Sequence, residues 1–520
     1  MQQSYTTNYL KIYFWQGLSI CLNLFSMFIV APRLASTPTI YGIYTITISV
    51  AIFLSYADFG FISSGYKYAS ERFASGEREE EIKVIGFVGF ILFIFIVLYA
   101  LIIMMFAVYP HLIIKNLKSI EETRISSYLL SVLALFAPTM VLPRILQIIF
   151  GTRLEDYIFQ RISIVSSIIK ISSVFYFFYG SKYDIVGYFL FSQTMNLMAA
   201  LISFIVAKKR YNFDLGLLIK SFRFSNEIYD KTKKLAFSSL YLTGTWIIYY
   251  EIDTLIIGKQ LGAKMVALYA VGLTLASFLR SIFGTLYTPF SARFNHFIGL
   301  KDNNGLKNLF IQVVILLMPI VVLPILCMIL LMKPFILCWV GPKYIQSILI
   351  ARFLVLSYIF SFISYPGGIL LVAYQKIKML YISSSILPVV YWMGVAVSLS
   401  SLGLKSFAIF KFLAFAVYSF FFLAFILTFL KIKLKDFMMK IFVPIIVPCL
   451  FIFGSLFFLN HLMPVEKDKV NLLIVIVTGG FVTLGSVCLY YLFSQPFRNY
   501  VNRLFKLLLL SLKSKNRQEV

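Results

Sequence analysis

The sequence predicts an all-α integral membrane protein of about 14 transmembrane helices, arranged as two pseudo-symmetric six-helix lobes plus two C-terminal helices. Three observations carry this. The 520 residues are 60% hydrophobic and 18% aromatic but only 13% charged, with a mean hydropathy of +0.89. Soluble domains carry about 25% charged residues, so a water-soluble enzyme, a disordered chain and a nucleic-acid-binding domain are all excluded. Fourteen apolar runs reach the ~20 residues that a helix rising ~1.5 Å per residue needs to cross ~30 Å of hydrocarbon. The first six of them recur at a near-constant offset.

The first half of the chain holds runs 12–31, 40–61, 84–108, 127–150, 157–179 and 185–207. Run 12–31 follows a segment with one basic residue, and no small-residue cleavage motif comes after it, so it reads as a retained span and not a signal peptide. Run 127–150 carries Arg144 directly after Pro143, and run 157–179 carries Arg161 and Lys170. Residues 208–234 follow as a cytoplasmic amphipathic linker, in which Phe213, Leu217, Leu218 and Phe222 mix with Lys220, Arg223 and Lys231.

The second half begins with runs 235–257, which holds Glu251 and Asp253, and 265–290, which holds Arg280. Runs 309–332, 348–374, 380–398 and 407–430 complete the second set of six; Pro366-Gly367-Gly368 is expected to bend the run at 348–374. Runs 441–459 and 472–493 are the two additional helices, and 494–520 is a basic, amphipathic cytoplasmic tail. The runs are continuous, not alternating, which excludes a β-barrel. The organisation is therefore an N-terminal lobe over 1–207, the linker 208–234, a C-terminal lobe over 235–430, the extra pair over 431–493 and the tail.

The net charge is +26. In this setting it reflects basic loops that fix orientation, not nucleic-acid binding. With the N-terminus inside, Lys and Arg on the inner segments outnumber those on the outer loops by better than two to one, so both termini are expected in the cytoplasm. The five cysteines form no CxxC and the three histidines are far apart, which implies neither a disulfide framework nor a metal site. Trp339 and Trp392 read as interface anchors.

The starts of the first six runs recur 221 to 225 residues later. Tyr44, Ala51, Phe53 and Leu54 then match Tyr269, Ala276, Phe278 and Leu279. Six spans per copy is an even number, so the copies share one topology and are related by an axis along the membrane normal. Many transporters rock such lobes to give alternating access.

Several motifs carry a resemblance. They are Tyr41-Gly42-Ile43-Tyr44; Asp58-Phe59-Gly60-Phe61 with Tyr68, Glu71 and Arg72; Ile252 to Gly258 with Leu261-Gly262 and Tyr269; and Trp339-Val340-Gly341 with Tyr344. In order and spacing the chain resembles bacterial polysaccharide flippases of the Wzx type, in the superfamily that also contains the lipid II flippase and the multidrug extruders. That resemblance implies export of an undecaprenyl-pyrophosphate-linked oligosaccharide repeat unit for O-antigen or capsular polysaccharide assembly. It also implies the bacterial inner membrane, contact with membrane lipids, and polysaccharide polymerase and chain-length proteins as partners.

Charges at the membrane core cost ~2.5–3.5 kcal/mol each on insertion scales and mark functional interiors. Six basic residues lie in the runs (Arg144, Arg161, Lys170, Arg280, Arg352 and Lys411) against three acids (Asp58, Glu251 and Asp253). The surplus suits an anion such as pyrophosphate. Arg280, Lys170, Arg161 and Arg144 are the candidate anion-binding residues, while snorkelling near run ends explains Arg352 and Lys411 and is also a reading of Arg161. Asp58, Glu251, Asp253 and Gln16 are candidates for polar contact or for coupling to Na+ or H+. Glu251 and Asp253 are two apart, hence ~200° around one helix, so only one can face a cleft. No cofactor is implied. No Walker sequence occurs and no outer loop holds a catalytic constellation, so a transporter is expected and not an enzyme. A cation-coupled multidrug extruder and a lipid II flippase remain alternatives.

Overall fold

The computed structural model describes every residue except 1, 55, 57–59, 118, 288–289, 375 and 504–520, with the backbone alone for 2–10, 238, 292 and 377. It is all-helical, with no strand among the described residues. Among the described residues twelve helices are long and apolar enough to cross a membrane. The other two expected spans are present in altered form. Run 40–61 is a 17-residue helix, Pro38–Leu54, and run 235–257 is divided between Asn226–Tyr250 and Ile252–Leu261 with the break at Glu251.

The chain forms two compact units, Met1–Ala270 and Val271–Val520. The first contains α1 (Gln2–Ile29), α2 (Ala31–Leu34), α3 (Pro38–Leu54), α4 (Phe61–Ala74), α5 (Arg78–Val108), α6 (Ile120–Phe136), α7 (Val141–Gly151), α8 (Asp156–Phe177), α9 (Ile185–Tyr211), α10 (Leu215–Lys220), α11 (Asn226–Tyr250), α12 (Ile252–Leu261) and the start of α13 (Ala263–Tyr287). The second contains the rest of α13, then α14 (Phe290–Gly299), α15 (Asn303–Leu330), α16 (Met332–Trp339), α17 (Ser347–Leu356), α18 (Ser361–Ala373), α19 (Ile377–Leu402), α20 (Leu404–Phe429), α21 (Leu434–Phe437), α22 (Ile446–Leu459) and α23 (Lys469–Phe493).

Scarce loop acids start several helices. Asp184, Asp214, Asp302 and Asp468 accept hydrogen bonds from Gly187, Leu217, Gly305 and Val470 N–H groups at 2.8, 3.0, 2.8 and 3.0 Å. Each satisfies an N–H that the first turn leaves unpaired. Short 3₁₀ turns interrupt two of the long apolar runs. Residues Ala137–Met140 form a 3₁₀ turn between α6 and α7, and Ser357–Phe360 form another between α17 and α18. In run 348–374 the 3₁₀ turn at 357–360 lies six to nine residues before Pro366, which sits inside α18.

Segment 208–234 is used as the end of α9, as α10 and as the first turns of α11. Phe213 and Leu218 are buried, and Phe222 packs edge-on against Phe90 and Phe93 of α5, both at 5.8 Å. Residues 495–503 are helical, and the rest of the tail lies outside the described residues. Trp339 belongs to the core of the second unit, 2% exposed and 5.7 Å from the Phe335 ring, instead of anchoring at an interface.

Two of the motif glycines have a steric reason. A Cβ at Gly42 would lie 1.8 Å from the Ala263 carbonyl oxygen, so α3 can meet the α12–α13 turn only where no side chain intervenes. Gly60 has φ +79° and opens α4 with its α-carbon pressed against α11; a Cβ there would lie 2.3 Å from the Ala236 oxygen. Gly42→Ala is expected to cost about 3 kcal/mol or more, at the upper end of overpacking effects, because the obstacle is backbone. Gly17→Ala, with nothing within 4 Å of the added carbon, is the control. Thermal unfolding of the two purified variants in detergent checks this, with the midpoint lowered for the first only.

Candidate functional site

The first unit holds a half-open cavity of about 860 Å³ among α1, α4, α7, α8 and α9, lined by polar and apolar side chains. The face that α8 turns to it is written in its spacing. Asp156, Gln160, Ser163, Ser167 and Lys170 recur every three or four residues and so lie on one side of the helix. α9 adds Gln193 and Asn196, α7 adds Arg144 and Gln147, and α1 adds Gln16. A second cavity of about 230 Å³ is lined by Asn23, Tyr44, Ser192 and, in common with the first, Ser167, Lys170, Gln193 and Asn196.

Lys170 is thus the cation shared by both spaces. Its Nζ donates to Asn196 Oδ1 at 2.8 Å, and among the described residues no carboxylate lies within ion-pairing distance of it. Arg144 is half-buried in the wall. Asp156 is the one carboxylate on the lining, so cations exceed anions by two to one. Gln160 Oε1 is buried with no hydrogen-bond partner among the described residues. Buried polar atoms are seldom left unpaired, so this one favours a hydrogen-bonding occupant.

The remaining expected residues stand elsewhere. Arg161 is exposed, with its guanidinium 5.9 Å from the Trp15 ring, and does not line the cavity. Arg280 belongs to the second unit, half-buried on α13, where its charge acts on the Tyr365 hydroxyl. Asp58 lies outside the described residues. Glu251 and Asp253 do not share a continuous helix, because the helix breaks at Glu251; the angular argument for one facing away from the other therefore fails. Asp253 is fully buried. Its Oδ2 accepts from the Tyr269 hydroxyl at 2.6 Å and its Oδ1 from the Thr254 N–H at 2.8 Å. Glu251 is 6% exposed. Lys411 does not snorkel; it is 4% exposed, with Nζ 5.5 Å from the Tyr391 ring. Arg352 donates to the Ile329 carbonyl at 3.1 Å. Among the described residues no group of three His, Cys, Asp or Glu could hold a metal ion.

At the end of the first unit where α4, α5, α7 and α9 terminate or begin, an ion pair is sealed from solvent. Arg153 Nη1 lies 2.7 Å from Glu81 Oε1, with side-chain exposures of 5% and 0%. The guanidinium sits over the rings of Phe73 (4.5 Å) and Tyr211 (4.7 Å). Beside it Glu155 takes two hydrogen bonds from Arg210, at 2.8 and 2.6 Å, and one from the Tyr211 hydroxyl. Burial alone would raise the Glu155 carboxyl, but those hydrogen bonds and the two arginine charges outweigh it and hold it below its ordinary value. Its contribution to stability is present above the ordinary carboxylate range and is lost as pH falls through the lowered value.

No family model and no curated protein sequence matches this chain. Solved structures do match it. The lipid II flippase MurJ in an inward closed conformation aligns over 94% of this chain and 99% of its own, with a TM-score of 0.68 and 16% identity. An inward-facing multidrug resistance MATE transporter of the MOP superfamily aligns over 79% and 94%, with a TM-score of 0.58 and 11% identity. A MOP superfamily transporter from Pyrococcus furiosus, described as having a binding pocket of reverse polarity, aligns over 81% and 94%, with a TM-score of 0.53 and 12% identity. At these identities the likeness is one of fold. The chain has the fold of MOP-type flippases and transporters.

Proposed function

We propose that this protein is a flippase. It translocates an undecaprenyl-pyrophosphate-linked oligosaccharide repeat unit from the inner to the outer leaflet by alternating access, for O-antigen or capsular polysaccharide assembly. The observation that carries the reading is the net cationic cavity among the helices of the first unit, with Lys170, Arg144 and a row of neutral polar side chains in its wall. A sugar hydroxyl moved into hydrocarbon without a partner costs ~4–8 kcal/mol. Glutamine, asparagine and serine side chains on α1, α7, α8 and α9 replace water for such groups, and the two cations suit the phosphates. An inside-negative potential helps expel an anion by ~2.3 kcal/mol per charge per 100 mV. The chain then lies in the bacterial inner membrane with both termini cytoplasmic and works with a polysaccharide polymerase and chain-length proteins. A Na+ or H+ gradient supplies direction, and Glu251, buried at the α11–α12 break, is the acid assigned to it.

Reconstituted vesicles test the reading. Fluorescent undecaprenyl-pyrophosphate oligosaccharide in the inner leaflet should become accessible outside at least tenfold faster than in protein-free vesicles, and a lipophilic cation should not be accumulated. Flipping restricted to a peptide-bearing lipid II head would make the protein a lipid II flippase. Accumulation of the cation without lipid flipping would make it a multidrug extruder.

A further inference from the structure

The second unit holds a small pocket of about 190 Å³ that the transport reading does not use. It lies where the first turns of α15 meet the chain after α20. Lys307, Lys431, Lys433 and Lys440 line it against one carboxylate, Asp436, and Ile432, Phe437 and Ile441 make a buried apolar floor. The site is built, not a chance gathering of loop lysines. Lys307 Nζ donates to the Lys431 carbonyl at 3.0 Å and staples the loop to α15, while Lys431 takes φ +51° to turn back after α20. Lys440 is carried on a π-helical turn, Met438–Phe442, an uncommon geometry that recurs at functional sites. Among the described residues none of these lysines ion-pairs with a carboxylate.

The surroundings choose the ligand. Leu434, Met438 and Met439, in the same stretch as the lysines, are 56%, 41% and 57% exposed. Segment 434–462 is long and apolar enough to cross a membrane, and these exposed apolar side chains stand in its first turns. A free anion would use only the ammonium groups. A molecule with a phosphate at one end and acyl chains at the other uses both surfaces. Basic pockets between crossing helices hold anionic headgroups for this reason.

We propose that this pocket binds the phosphate headgroup of an anionic phospholipid, with Lys431, Lys433 and Lys440 on the phosphate and the acyl chains across Leu434, Met438 and Met439. The test uses the full chain in detergent, with lipid binding read by native mass spectrometry. Phosphatidylglycerol is expected to bind at least tenfold more tightly than phosphatidylcholine. Each lysine near an anionic surface contributes roughly fivefold, so the double variant Lys433→Gln/Lys440→Gln should lose about tenfold or more of that preference. Asp436→Asn should gain a few-fold, which keeps the proposal testable if the double variant does not fold. Lys405→Gln/Lys469→Gln, at the starts of α20 and α23, should behave as the parent. Equal binding of phosphatidylcholine, an unchanged double variant or an unchanged Asp436→Asn would overturn the proposal. So would displacement of the lipid by millimolar inorganic phosphate, which would mark a free-anion site.

Discussion

Lys170→Met is expected to reduce transport of the lipid-linked substrate more than tenfold while leaving the protein as stable as the parent or more so. The side chain keeps its length and loses its charge. A charge within a crossing helix costs ~2.5–3.5 kcal/mol on insertion scales, and the single described partner of Lys170 is the neutral Asn196 amide. Removing the charge therefore relieves a cost without orphaning a carboxylate. A purely structural lysine would behave the opposite way, with stability and activity falling together. Lys170→Arg should recover part of the activity, because it restores the charge between the two cavities that share this residue. Vesicle flipping rates and melting midpoints, measured on the same preparations, give both readouts. Undiminished transport by Lys170→Met would remove this cation from the mechanism.

Glu81→Gln is expected to be the most destabilising single change in the first unit. It strips the partner from an arginine that is 5% exposed and enclosed between Phe73 and Tyr211. Breaking a buried pair from one side costs about 3–5 kcal/mol, whereas replacing both members by apolar groups is often neutral. Glu81→Leu/Arg153→Met should accordingly unfold at a higher temperature than Glu81→Gln alone, and a double-mutant cycle isolates the coupling. Additive effects at the two positions would show that the pair is not coupled.

The architecture was legible because crossing a bilayer demands long apolar helices, and these leave a mark that no other fold leaves. Twelve of fourteen expected spans are continuous or nearly so. The two departures are at Leu54 and at Glu251; next to the second, the buried Asp253 accepts from the Tyr269 hydroxyl, and within α3 Gly42 meets Ala263. Those contacts also explain what the motifs report. Gly42, Gly60, Asp253 and Tyr269 carried the resemblance, and in the structure they hold helices together instead of lining the cavity. Charge alone singled out Lys170 and Arg144, which stand on the cavity lining, and Arg161, which does not. The neutral lining had a signal that counting charges passes over, the 4-3-4-3 spacing from Asp156 to Lys170. Glu81 and Arg153, 72 residues apart, had none, since nothing local distinguishes a sealed pair from two ordinary loop charges.

The polar face of α8 has a consequence for biogenesis. α8 is the least apolar of the twelve crossing helices, and one side of it carries an acid, an amide, two hydroxyls and an amine. Until α9 has been synthesised, nothing from that neighbour shields this side from acyl chains; Asn196, the amide that meets Lys170, belongs to α9. The newly made segment would therefore linger at the translocon until its successor emerges, and the two would pass into the bilayer together as a hairpin.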